Sequence, residues 1–275
     1  MTRLFDEYAY FFIPLLAFMV DAILSKTPAK AKLEATFSPF LDFLEGIFYS
    51  RRDRHGQQLR YGLLMTLALT FVIVILGGLM LIFIGWTFSW SLYILEVFYV
   101  VLSLGLAKDI LALLRVEELV SKGHFELAQT YMGESLGQAQ DQQLTDLEIN
   151  QLAVVSLQDR TSHTLVGPLL AFALLGPIAS LVYWGIHQLV ERFPISQKEY
   201  RYFGQFPDRL WFLLSFIPNH MNQGLWTLAS LLWRQNALRE KPDSWAYIIG
   251  HVKYACTVAF IMVILAGLIS YLMNS

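Results

Sequence analysis

Residues 62–86 read GLLMTLALTFVIVILGGLMLIFIGW, 25 positions without one charged side chain. A helix needs about 20 apolar residues to cross the hydrocarbon core of a bilayer. This stretch therefore reads as a membrane span, with Trp86 and Trp90 marking its far interface. The whole chain agrees. It has 275 residues, of which 56% are hydrophobic and only 15% charged, where soluble proteins carry about 25% charged residues. A net charge of −2 supplies no concentrated basic face, so nucleic acid is excluded as a partner. The single cysteine, Cys256, lies inside an apolar run, where it reads as a small lipid- or helix-facing residue. It has no disulfide partner and no zinc spacing around it. There is no phosphate-binding P-loop, nucleophile elbow, zinc-protease motif or dinucleotide fingerprint.

Upstream of that span, residues 25–61 carry Lys26, Lys30, Lys32, Arg51, Arg52, Arg54 and Arg60. By the positive-inside rule this is the cytoplasmic side. Within it, Phe37, Phe40, Leu41, Phe43, Leu44, Ile47 and Phe48 recur at helical spacing, predicting an amphipathic helix at the membrane surface. Residues 8–24 hold Pro14 and Asp21 and form a marginal span or a helix packed at the interface, expected to be retained because no small-x-small cleavage site follows directly.

Downstream, residues 88–107 return as a third span with Glu96 near its middle. Residues 108–160 then hold four Lys/Arg and nine Asp/Glu. They predict a small cytoplasmic helical cap, too small for a separate catalytic domain. Gly123 suits a helix C-terminus and a short helix covers 124–134. The Gln-rich 138–143 reads as a loop, and Thr145 to Glu148 has the capping-box pattern.

Residues 164–190 are apolar but interrupted at Gly167-Pro168 and Gly176-Pro177, so they make either one kinked span or a re-entrant hairpin. The polar loop 191–209 carries Arg192, Lys198, Arg201 and Arg209, which favours the cytoplasm and hence the hairpin. Residues 210–233 are apolar but divided by Pro218, Asn219, His220 and Asn222, and 253–273 form a clean last span. The expected fold is an all-α, polytopic, integral membrane helical protein, one membrane domain over 1–275 with the cap at 108–160.

Charged side chains beside an apolar span are costly and need partners or a task. Three groups qualify. Lys108 and Asp109 stand where the third span ends. Gln158, Asp159, Arg160, Thr161 and His163 lie on the helix entering the fourth apolar stretch. Asp159 and His163 are four apart and share a helix face, a carboxylate–imidazole pair able to tune a proton or contact a ligand; the plainer alternative is a polar helix cap. Arg201, Tyr202, Gly204 and Asp208 form the third group. Here Arg201 can clamp a phosphate or carboxylate while Gly204 permits close approach. The plainer alternative is interface anchoring.

Two long stretches, VVSLQDRTSHTLVGPLL (154–170) and YWGIHQLVERFPISQKEYRYFGQFPDRLWFLLSFIPNHM (183–221), resemble the CobD/CbiB family of cobalamin-biosynthesis membrane proteins. Order, spacing and the Tyr-Arg-Tyr-Phe-Gly block match, and LLAFMVDAILSKTP (15–28) resembles the family's N-terminus. Where the family carries a Glu-Asn pair, this chain has Gln158-Asp159-Arg160, and an acidic position is His163. The family's Asn-Thr-Leu-Asp is His187-Gln188-Leu189-Val190, and its Gly-Asp-Pro is Ser25-Lys26-Thr27-Pro28. Those positions are expected to handle activated carboxylate, amine and metal-nucleotide, and Mg²⁺-nucleotide sites use such oxygens.

The chain is therefore more similar to the AmpE-type branch, associated with regulation of beta-lactamase induction. That implies a regulatory or sensor-like protein of the bacterial inner membrane, multi-pass, with a degenerate ligand site between 158–163 and 198–208. Its partners would be the lipid bilayer, a small anionic or nucleotide ligand, and a membrane protein. The alternative is an adenosylcobinamide-phosphate synthase, which would use ATP and Mg²⁺. A transporter is disfavoured because the polar residues gather at one end of the spans.

Overall fold

The computed structural model describes residues 2–50, 54–87, 89–136, 144–233 and 245–274. The expected Gln-rich loop 138–143 and most of the connector 234–252 lie outside them, as do Arg51 and Arg52. Among the described residues every regular element is helical. In chain order these are α1 (Thr2–Leu24), α2 (Pro28–Phe48), α3 (His55–Thr87), α4 (Ser89–Ser103), α5 (Leu106–Ser121) and α6 (Phe125–Leu136). Then follow α7 (Asp146–Thr161), a π-helical turn (Ser162–Val166), α8 (Gly167–Leu175), α9 (Pro177–Arg192), α10 (Gln205–Leu232) and α11 (Trp245–Asn274).

Three helical stretches are long and apolar enough to cross a membrane: His55–Trp86, Ser91–Ser121 and Tyr247–Met273. Phe11–Leu24 is a shorter apolar helix. Only 11% of the most apolar part of α3 is buried, and Phe71, Ile82, Phe83 and Trp86 all stand exposed. A surface that apolar has no place in water but suits lipid.

The chain divides into two compact units. The first comprises 1–104, 167–217 and 264–275. Here α1 packs on α4, while α3, α4 and α8 all pack on α9. Gly185 of α9 meets Ile73 of α3, and Ile178 meets Gly77 and Gly78, so the two helices run antiparallel. Leu41 and Leu44 (α2), Met65 and Leu69 (α3), Leu189 (α9), Phe193 and Phe203 form one buried cluster at the N-terminal end of α3.

The second unit comprises 105–166 and 218–263. In it α5, α6 and α7 pack on one another. Leu106, Asp109, Ala112, Leu113, Val116, Glu117 and Leu119 form the buried stripe of α5, at spacings of three and four. Gly123 adopts a positive φ of 76°, and its N–H and that of His124 return to Val120 O and Leu119 O, closing α5. At the start of α7 both bonds of the capping box are made between Thr145 and Glu148.

One local feature differs from the sequence-based expectation and one agrees with it. Residues 210–233 are not divided at Pro218, since α10 runs through it. A proline removes one N–H and crowds the preceding turn, yet α10 stays helical on both sides of Pro218. Gly176 does break 164–190, at a φ of +88°, between α8 and α9.

Candidate functional site

The candidate residues fall into the two units, and each set is described within its own. In the second unit, Asp109 lies on α5 and is 1% exposed. Arg160, on the last turn of α7, donates through Nε to its Oδ1 at 2.9 Å. Thr164 donates through Oγ1 to its Oδ2, also at 2.9 Å. The π-helical turn begins one residue after α7 ends and carries Thr164, while Gly105 receives the other side of that residue, its N–H donating to Thr164 O. Both Asp109 oxygens are thus engaged by protein donors, as a buried carboxylate requires.

The other predicted residues of this group differ in surroundings. Asp159 is exposed, and so is Lys108 next to Asp109 in sequence. Thr161 is buried, and its hydroxyl donates back to Leu157 O. The Nδ1 of His163 lies 3.0 Å from Ser162 Oγ. The π-helical turn starts between Asp159 and His163, so the four-residue spacing is not that of a continuous α-helix there. Gln158 uses its backbone carbonyl to accept from Asn222 Nδ2 at 2.7 Å. Thr164 and Asn222 were not evident in the sequence; the four-residue step from Arg160 to Thr164 was the available signal for the first.

In the first unit, the Tyr-Arg-Tyr-Phe-Gly block spans 200–204. Tyr200 donates to Glu45 Oε1 at 2.8 Å, and Tyr49 donates to Glu199 O at 2.8 Å. Arg192 bridges Asp42 and Glu45 at 2.7 and 3.2 Å. Tyr202 stacks on His55 with ring centres 4.0 Å apart. Phe203 is fully buried. Gly204 is pressed on the protein itself, for a Cβ there would sit 2.2 Å from Phe193 O. Asp208 stands in the first turn of α10, a favourable place for a negative charge. Arg201 and Lys198 are exposed. The block therefore fastens its loop to α2 and to the start of α3, and presents Arg201 outward. Burial, then the Glu45 hydrogen bond, push the Tyr200 hydroxyl up to about 12.

Asp21 and Glu96 are buried in the first unit, the former accepting from Ser25 Oγ. Among the described residues no three His, Cys, Asp or Glu side chains gather to hold a metal ion. A Mg²⁺ carried on substrate phosphates needs only one or two protein carboxylates, and the exposed Asp159 can supply one. Among the described residues, the donor set is one that suits a phosphate-borne ion.

Long apolar helices with lipid-suited surfaces, and no regular element but helix among the described residues, define an all-α membrane protein. A family model described as CobD/Cbib protein matches residues 14–273, and the chain belongs to that family. It is 29% identical over 205 residues to "Probable cobalamin biosynthesis protein CobD" of Pyrococcus abyssi (strain GE5 / Orsay). That match spans 74% of this chain and 66% of the relative's length. No solved structure matches. Neither match favours the AmpE-type branch expected from the missing acids.

Proposed function

We propose that this chain acts in cobalamin biosynthesis, at the amide-forming step of the adenosylcobinamide-phosphate synthase type. The observation that carries this reading is the family match across 260 of 275 residues, from 14 to 273. Lys108, Asp159, Arg160 and His163 of the second unit are the groups assigned to a phosphate-bearing substrate, and Arg201 of the first unit is a phosphate-binding candidate in its own right. Asp109 holds Arg160 in place rather than binding a ligand. ATP with Mg²⁺ would supply the activation of the carboxylate. The test is calorimetry of the detergent-purified chain with ATP and Mg²⁺, followed by conversion of a cobinamide acid and an amine to the amide. Metal-dependent binding that is lost in Arg201→Ala, with product formed, supports the reading. No binding at millimolar nucleotide and no product would sink it.

A second reading has its own observation. Both oxygens of Asp109 are already engaged by Arg160 and Thr164, and His163 stands where the family carries an acid. A degenerate site of this kind suits an AmpE-type regulatory protein that binds a small anion, or a membrane partner, without catalysis. Nucleotide binding without product, in the same assay, would favour it.

For topology, we propose a bacterial cytoplasmic membrane with 25–61 and 191–209 both on the cytoplasmic face. The support lies inside the first unit. Tyr200 and Arg192 bond to α2, and Tyr202 stacks on His55 at the start of α3. Helix α8 has nine residues, about 14 Å of rise, against the ~30 Å of a hydrocarbon core. It packs on α9 across the Gly176 break, as a re-entrant hairpin would. Lys198→Cys in a Cys256→Ala background should react with a membrane-impermeant maleimide only from inside. Labelling from outside would require 164–190 to cross fully.

A further inference from the structure

The end of α7 is capped carbonyl by carbonyl. Thr161 Oγ1 donates to Leu157 O at 2.6 Å, and Ser162 Oγ donates to Asp159 O at 2.8 Å. Thr164 Oγ1 lies 2.9 Å from Arg160 O as well as from Asp109 Oδ2. The remaining carbonyl in this run of four, Gln158 O, accepts from Asn222 Nδ2 at 2.7 Å. Three of these four donors belong to the segment they cap. Asn222 comes from α10, 64 positions further on.

The caps stand where the backbone changes its repeat, from α7 into the π-helical turn at Ser162. Such a change takes carbonyls away from their regular partners. A hydroxyl on the turn moves with the turn, so it satisfies a carbonyl without fixing where the segment lies. A bond from α10 fixes it against a neighbour. The residues that follow Gln158 are the candidate group itself. Ser162 gives its one proton to Asp159 O, so it accepts from His163 Nδ1, 3.0 Å away. The imidazole therefore takes its orientation from the same turn.

Asn222 is an expensive way to fill its position. It is 3% exposed. Only its NH₂ can donate to a carbonyl, which turns Oδ1 away from Gln158, and that oxygen is buried with no hydrogen-bond partner. A buried acceptor left unmatched opposes folding. Leucine, of nearly the same size, would bury there without that penalty. A backbone carbonyl tolerates the loss of one donor better than a buried amide does. What the asparagine supplies is the tether and not general stability.

From this geometry we infer that Asn222 is a positioning residue. It sets the register of the turn that carries Asp159, Arg160 and His163, and through it the grip of that group on a phosphate-bearing substrate. The substrate half of the inference rests on the proposed reaction; the register half does not. The test uses the detergent-purified full chain, as wild type, Asn222→Leu and Asn222→Ser. Asn219→Leu, one turn earlier on α10 and also with an unpartnered buried Oδ1, is the control. Hydrogen–deuterium exchange of amides 158–166 should quicken about five- to tenfold in both Asn222 variants, the range of one lost hydrogen bond, with α5 unchanged. The KM for the phosphate-bearing substrate should rise about tenfold or more, while the KM for the cobinamide acid and the thermal midpoint of Asn222→Leu stay at wild-type values. Unchanged exchange in every folded Asn222 variant, or an equal effect in Asn219→Leu, overturns the register. Faster exchange with an unchanged KM overturns the positioning role. A wild type that forms no amide sinks the proposed reaction and the substrate half with it, while exchange still decides the register.

Discussion

Arg160 reaches across 51 positions of sequence to bond the buried Oδ1 of Asp109. The pair joins α5 to the end of α7, and Thr164 completes it from the π-helical turn. Removing one member of a buried pair leaves the other charge uncompensated. Arg160→Met should therefore destabilise the folded chain by about 3 kcal/mol. Asp109→Asn, which keeps an acceptor for Thr164, should cost less. Unfolding of the two variants in mixed detergent micelles would rank them, and the reverse order would contradict this account.

Gly62 and Gly204 have no room for a side chain. A Cβ on Gly62 would lie 2.0 Å from the carbonyl oxygen of Phe203, and one on Gly204 2.2 Å from that of Phe193. Backbone cannot yield as a side-chain tip can, so either glycine changed to alanine should cost about 3 kcal/mol or more. Gly46→Ala is the control, because nothing lies within 4 Å of its added Cβ. In the last turn of α2 it should be neutral or stabilising by less than ~1 kcal/mol. Thermal midpoints of the three purified variants check this directly.

Tyr200 gives a pH dependence. An unconstrained tyrosine loses its proton near 10, whereas burial and the Glu45 contact hold Tyr200 to about 12. Between those values the folded loop keeps a proton that the unfolded chain has released. The stabilisation is therefore intact below pH ~10 and disappears as pH rises through about 12. Ultraviolet titration of phenolate formation, wild type against Tyr200→Phe, should show one late-titrating tyrosine missing from the variant. The substitution itself should cost about 1–2 kcal/mol through the lost hydrogen bond.

The opposite sign holds at the start of α7. The backbone and side chain of Thr145 donate to Glu148 and hold its carboxyl below the usual range. That contribution is present above the ordinary glutamate value and fades as pH falls through the lowered one. Thr145→Ala should remove about 1 kcal/mol from the helix. It should also flatten the acid side of the helicity profile followed by circular dichroism.

The spans were legible because lipid leaves a coarse mark: long apolar runs such as 62–86 need no partner to be recognised. Caps were legible for the opposite reason, being local, so Thr145–Glu148 and Gly123 follow from a few neighbouring residues. The candidate site was harder. Its bonds join positions far apart, Asp109 to Thr164 and Tyr200 to Glu45, and nothing in local spacing announces them. Gly204 shows the difficulty well. Its sequence context allows close approach of a ligand, but the structure presses it on Phe193 O. Pro218 erred in the other direction, since a helix breaker in water is tolerated in the long helix α10.

The contact between Gly62 and Phe203 also has a place in time. About 140 residues separate the two, so a ribosome working at about 5–20 residues per second needs roughly 7–30 seconds to deliver the second after the first. During that interval the surface of Met65 and Leu69 has been made but its cover, Phe203, has not. Newly inserted α3 must keep that patch against lipid or α2 until the later loop arrives, and a slower ribosome lengthens the wait.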